Sequence, residues 1–167
     1  MSLNKALPRL FLLVAALAIA QITVQLRMMP PVFATKFDFD GAPVAWMTAG
    51  AVATLEFALL ALVLVGFWLL PRLFAHRTSM YWRIPNRDHW LAPERRAATI
   101  EALRGLISWM GVVVLLLFMA VSQLVFDANN RTPPHLASDA LIWLLLSFLF
   151  FIAMWIWVIV RQFGRVT

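Results

Sequence analysis

Four long apolar runs, separated by segments dense in proline, arginine and acids, set the rhythm of this chain. They cover residues 10–26, 44–70, 106–126 and 140–160. Each is near or above the ~20 residues with which a helix crosses a bilayer. Backbone amides find no water in hydrocarbon, so the runs predict helices that bond internally. The connections are short, which makes successive helices antiparallel neighbours. The expected fold is therefore an all-α integral membrane protein, one transmembrane domain over 1–167, built as a four-transmembrane-helix up-down bundle. Small residues mark candidate packing faces: Ala16 with Ala20, Gly50 with Thr54, and Ala49 with Ala53. In the fourth helix Trp143, Phe150 and Trp157 recur every seven residues as one aromatic stripe, which we expect to meet lipid or a neighbouring helix. The first run has a second reading. Lys5 and Arg9 before it, and Ala18-Ile19-Ala20 ahead of Gln21, also fit a cleaved secretion signal. We read it as a span.

Composition agrees with the pattern. Hydrophobic residues make up 63% and charged residues 13% of the 167, against roughly half and a quarter in soluble domains. The net charge of +6 invites a nucleic-acid partner, but its placement gives a simpler account. Eleven of the fourteen Lys and Arg lie in the N-terminal tail, the 71–105 loop and the C-terminal tail. The loops 27–43 and 127–139 hold three: Arg27, Lys36 and Arg131. The positive-inside rule then puts both termini and the 71–105 loop in the cytoplasm, and the other two loops outside. This predicts a multi-pass protein of the bacterial inner membrane, with the lipid bilayer as its first partner and no nucleic acid.

Chemistry-bearing residues are few. There is no cysteine, hence no disulfide, thiolate metal site or Cys nucleophile. Glu56 is the one acid well inside a run, twelve residues from Val44, or about 18 Å along a helix. An ionised carboxylate at that depth is expensive. Glu56 reads either as a proton or cation site, or as a neutral carboxyl bonded to Ser147, Thr54, Gln21 or Gln25. His76, His89 and His135 all fall in loops, so the spans hold no pair of haem ligands. HExxH, phosphate-binding glycine loops and a buried Ser–His arrangement are missing. No enzymatic activity, metal or cofactor is expected.

Two loops carry structure of their own. In "MMPPVFATKFDFDGAPVAWM" (28–47), Pro30-Pro31 ends the first helix, 32–40 can run extended, and Asp40-Gly41 with Pro43 forms a turn. Asp38 and Asp40 match a fragment of a calcium loop, but the other ligands are absent and turn formation is the better account. Trp46 suits the interfacial aromatic belt. In "YWRIPNRDHWLAPERR" (81–96), Tyr81, Trp82 and Trp90 suit headgroup depth, and Pro85-Asn86 forces a turn. Pro93 and Glu94 suit a helix's first turn, leading into the third span. Arg87, Asp88 and His89 form the apex of what we expect to be a partly helical cytoplasmic elbow at the membrane surface. His89 beside Asp88 could serve acid–base work, yet no nucleophile accompanies it.

Together the two loops resemble a family of small bacterial membrane proteins related to the immunity protein for the sporulation-delaying toxin, the SdpI type, in its short four-span members. The outer motif falls on Pro30, Val32, Phe37, Asp38, Gly41, Pro43 and Trp46, and the inner one on Pro85, Asn86, Asp88, Trp90, Pro93, Glu94 and Arg95. Lys36 stands where the family has histidine, and Ala45 where it has glycine. The resemblance implies a non-enzymatic protein that recognises a peptide, lipid or membrane-protein partner, in immunity or envelope stress or as an accessory subunit. The candidate binding residues are Lys36, Phe37, Asp38, Gly41 and Trp46 on one face and Asn86, Arg87, Asp88, His89, Trp90, Glu94 and Arg95 on the other. The competing expectation is a small proton- or ion-coupled transporter or channel that uses Glu56.

Overall fold

The computed structural model describes residues 3–73 and 84–164. His76, Arg77, Tyr81, Trp82, Arg83 and Arg165 lie outside the described residues. In chain order the elements are helix α1 (Leu3–Met28), strands β1 (Val32–Phe37) and β2 (Pro43–Thr48), helix α2 (Ala49–Leu64), a π-helical turn (Val65–Leu69), α3 (Leu70–Leu73), α4 (Arg87–Trp90), α5 (Arg96–Asn129) and α6 (Ser138–Phe163). Four helices are long and apolar enough to cross a membrane: Leu7–Met28, Ala49–Arg72, Arg96–Asn129 and Ser138–Phe163. The chain is thus mostly helical, as expected of a multi-pass membrane protein.

A small two-stranded antiparallel sheet corrects the all-α expectation. Residues 44–48, expected from sequence to begin the second span, instead belong to β2, which pairs with β1 from Val32↔Thr48 to Phe37↔Pro43. The turn between them holds Gly41 at φ +85°, which a side chain would strain. Thr48 then caps α2, its hydroxyl accepting from the Ala51 amide at 3.3 Å.

The bundle is less symmetric than expected. Contacts pair residues 11 with 111, 21 with 119 and 56 with 122, so α1 and α5 run parallel and α2 runs against both. These three helices form the core. Phe11, Val14, Ala15, Ala18 and Ile22 of α1 meet Leu60 of α2 and Val112 and Leu115 of α5. The buried stripe of α1 contains Ala15 and Ala18, whereas Ala16 and Ala20 face outward. Gly50 likewise has open space around it, and Thr54 is exposed, while Ala53 is buried. Helix α6 lies outside the triangle against α5. No residue of its most apolar stretch is buried, and the stripe of Trp143 (70% exposed), Phe150 (72%) and Trp157 (56%) points away from the core. Such a face suits hydrocarbon, where lipid tails solvate what water would reject.

Two further departures have local causes. Pro71 lacks an amide and its ring crowds the carbonyl four residues back. The helix widens there into a π turn, and the Leu70 amide reaches back to the Val65 carbonyl. At the other boundary α5 starts at Arg96, beyond the expected Pro93-Glu94 start, because Ala92–Arg95 closes a tight turn in which the Arg95 and Arg96 amides both bond to the Ala92 carbonyl. From there α5 runs without a break for 34 residues, about 51 Å at 1.5 Å per residue. That is longer than a hydrocarbon core of ~30 Å.

Gly111 of α5 sits in close contact with α1 and with the π turn that follows α2. A Cβ there would stand 2.7 Å from the Phe11 ring and 2.8 Å from Phe67 Cβ. Gly111→Ala is expected to cost about 1–3 kcal/mol through overpacking, seen as a lowered thermal midpoint in detergent. Gly50→Ala, in open space, should leave the midpoint unchanged or slightly raised. Equal effects at the two glycines would refute so close an approach of α1 and the π turn to Gly111.

Candidate functional site: a buried polar chain between two clamped ends

The spans conceal a chain of polar side chains near the hairpin end of the core. Glu56 Oε1 of α2 stands 2.6 Å from Ser122 Oγ of α5. Ser122 Oγ is also 2.9 Å from Gln25 Oε1 of α1. Gln25 Nε2 donates to Gln123 Oε1 at 3.0 Å, and Gln123 Nε2 donates to Asp127 Oδ1 at 2.8 Å. Gln21 Nε2 donates to the Met119 carbonyl at 2.9 Å and joins the chain at Gln123 Oε1, 3.4 Å away. Ser122 and Gln25 are buried, whereas Gln123 and Asp127 are exposed.

Donor counting orders this chain. A serine hydroxyl has one hydrogen and cannot donate to Glu56 and Gln25 together. Both contacts are satisfied when the carboxyl is neutral and donates to Ser122, which then donates to Gln25. Every donor after that points the same way and the series ends on the Asp127 carboxylate, an arrangement in which each bond polarises the next. Glu56 Oε2 is buried without a hydrogen-bond partner. Of the partners expected for Glu56, Gln25 is one bond removed and Gln21 sits alongside. Thr54 and Ser147 instead bond to their own helices, at the Gly50 and Trp143 carbonyls. Sequence reasoning missed Ser122, Gln123 and Asp127. Their signal was a Ser-Gln pair near the end of the third run, on the level of Gln21 and Gln25.

At the hairpin end the outer-motif residues are held by their backbones. Asp38 accepts the Ala42 amide on Oδ1 at 2.7 Å, and its own amide bonds the Ala42 carbonyl. It is a turn-former, and no group of three or more acids or histidines suited to a metal occurs among the described residues. Gly41 is buried against the 131–137 segment, and its carbonyl accepts the Leu136 amide at 2.9 Å. Asn129, at the end of α5, bonds both backbone groups of Ala34: its Oδ1 accepts at 2.7 Å and its Nδ2 donates at 3.0 Å. That side chain acts as a third strand one residue long. Lys36 and Asp38 are exposed, Phe37 is half-buried, Trp46 is half exposed, and Phe39 at the tip is fully exposed.

At the opposite end the elbow caps α6. The last carbonyls of a helix lack intrahelical donors. Asn86, held in the left-handed region at φ 53°, donates Nδ2 to the carbonyls of Phe163 and Gly164 at 3.2 and 3.1 Å. Trp90 Nε1 donates to the Phe163 carbonyl at 2.9 Å, and its ring meets Phe163 edge to face. Thr99 of α5 donates to the Trp90 carbonyl at 2.8 Å, which ties the elbow to the core. Arg95 places a guanidinium nitrogen 2.9 and 3.1 Å from the two His89 ring nitrogens. Arg87, Asp88 and Glu94 lie exposed around this clamp. The inner motif is therefore joined into one unit, the outer motif into another, and Glu56 stands apart from both. Searches against protein-family models, curated proteins and solved structures find no match for the chain.

Ser122 is the hub of the polar chain. Ser122→Ala strands the Glu56 and Gln25 side chains at once and should destabilise the fold by about 1–3 kcal/mol. Glu56→Gln keeps a donor and an acceptor at the same place and should cost less. Thermal unfolding in detergent compares them, and a larger loss for Glu56→Gln would overturn this order of donors. A second measurement checks the elbow. Trp90→Phe together with Asn86→Ala should speed amide hydrogen exchange in the last turn of α6 and leave that of α1 unchanged.

Proposed function

We propose that this chain is a non-enzymatic protein of the bacterial inner membrane whose hairpin face recognises an extended peptide. The termini and the elbow would lie in the cytoplasm and the hairpin outside, as the distribution of arginine indicates. One observation carries the reading: the hairpin is fixed on one side and open on the other. Asn129 occupies the free edge of β1 and Leu136 anchors the turn. Among the described residues the sheet has two strands, so β2 keeps an edge with no strand partner there. Val44, Trp46 and Phe39 are exposed beside it. A rigid strand edge flanked by apolar side chains is the arrangement that binds a peptide by adding a strand: backbone bonds give affinity and side-chain contacts give specificity. The resemblance of both loops to the toxin-immunity family points the same way.

A second reading, a small proton- or ion-coupled transporter, draws on the unpartnered Glu56 Oε2. It has less support because two glutamine amides interrupt the path from Glu56 to Asp127, and an amide passes on polarisation rather than protons. Flux in liposomes that Glu56→Gln abolishes would favour it.

The test of recognition is genetic. Cells lacking the gene should become more sensitive to an envelope-active peptide, and the intact gene should restore resistance. Trp46→Asp with Phe39→Asp should restore it about tenfold less well, the loss of a contact worth roughly 1.4 kcal/mol. Unchanged sensitivity on deletion, across a panel of such peptides, would sink the proposal.

A further inference from the structure

The end of the bundle that carries the termini holds a cavity of about 540 Å³ where α1, α3 and α5 meet. Three arginines from three elements line it: Arg9, Arg72 and Arg104. Among the described residues Glu101 is the one acid on its wall, and Ser108 adds a hydroxyl. Three guanidinium groups against one carboxylate leave a formal charge of +2. Arg72 and Arg104 face the same cavity from different elements. Packing of like charges at a low-dielectric boundary is costly unless an anion is shared between them.

The Arg72 side chain is already oriented. Its Nη1 donates to the Trp68 carbonyl at 2.5 Å, and its guanidinium lies 4.4 Å from the Trp68 ring centroid. Those contacts use one nitrogen and one face. The π turn forced by Pro71 sets this geometry, and Pro71 itself lines the cavity together with Phe67. The pocket therefore joins a cationic rim to an apolar wall.

Its depth is fixed by the spans. Arg9 is the third residue of the apolar segment Leu7–Met28, and Arg72 is the last residue of Ala49–Arg72. Both stand at the end of an apolar span, the level at which headgroup phosphodiesters are expected. Arginine forks match phosphate oxygens in pairs, and basic pockets between transmembrane helices at this level suit anionic headgroups. We propose that this cavity binds the headgroup of an anionic phospholipid, best matched in charge by one carrying two phosphodiesters. The bound lipid would tie α1, α3 and α5 together at the end of the bundle opposite the polar chain.

Native mass spectrometry of the detergent-purified full chain tests the proposal, with cardiolipin, phosphatidylglycerol, phosphatidylethanolamine and phosphatidylcholine offered together. The wild type should retain cardiolipin about tenfold over the zwitterionic lipids, a preference of roughly 1.4 kcal/mol. Arg72→Gln with Arg104→Gln should lose that preference, and Arg131→Gln, at the hairpin end, should keep it. Should the double glutamine variant fail to fold, Arg72→Lys with Arg104→Lys keeps the charge and should weaken retention without abolishing it. Equal retention of phosphatidylethanolamine or phosphatidylcholine by the wild type would overturn the proposal. So would undiminished cardiolipin retention by the double glutamine variant. Inorganic phosphate that raises the thermal midpoint as much as cardiolipin does would move the site to free phosphate and overturn the lipid assignment.

Discussion

A peptide group in hydrocarbon that loses its hydrogen bond costs several kcal/mol, because no water replaces the partner. Helices meet this constraint along their length and violate it at their ends. The parts of this chain that sequence alone makes puzzling are places where a helix stops near the membrane. Asn86 and Trp90 cover the open carbonyls of α6. The Thr48 hydroxyl takes an open amide of α2. Asn129 closes the backbone of Ala34, and Leu136 closes that of Gly41. Even in the π turn beside Pro71 the Val65 carbonyl keeps a backbone donor, the Leu70 amide.

This explains why motif-like residues need not be reactive ones. The elbow sequence "IPNRDHW" has the composition of an active-site loop. Its asparagine and tryptophan donors are nevertheless spent on the α6 terminus, and its histidine is covered by Arg95. The hairpin differs in kind. Its β2 edge has no strand partner among the described residues, and Val44, Trp46 and Phe39 are left exposed. Two motifs that look alike in sequence thus separate into one that closes a structure and one that leaves an edge open.

What the sequence made legible follows from scale. Span number and approximate limits depend on summed hydrophobicity over twenty residues, a signal too large to miss. The start of α2 depends on six residues. Val44, Trp46 and Met47 are as compatible with a strand as with a span, and the Asp40-Gly41 turn alone marks the difference. Which face of α1 packs was harder still. In a helix that is apolar all round, Ala16 and Ala20 look as suitable as Ala15 and Ala18. Gln25 breaks the tie: it shares a stripe with Ala18 and Ile22, and a polar side chain at membrane depth must face protein. The same rule places Glu56 beside Ser122.

The off-centre position of α6 then has a physical reading. α1 and α5 pack directly because Ala15, Ala18 and Gly111 let their axes approach, and the polar chain bonds them together with α2. A helix bundle closes around its most demanding groups, and every buried polar side chain of that chain belongs to these three helices. Helix α6 brings no such group to the centre. Its hydroxyl at Ser147 turns back on Trp143, and Trp155 donates to the Leu106 carbonyl of α5 at 3.1 Å. It is held at its end by the elbow rather than along its length. In lipid, where apolar burial supplies little drive for helix association, polar contacts decide which helices form the core, and α6 is excluded for want of them.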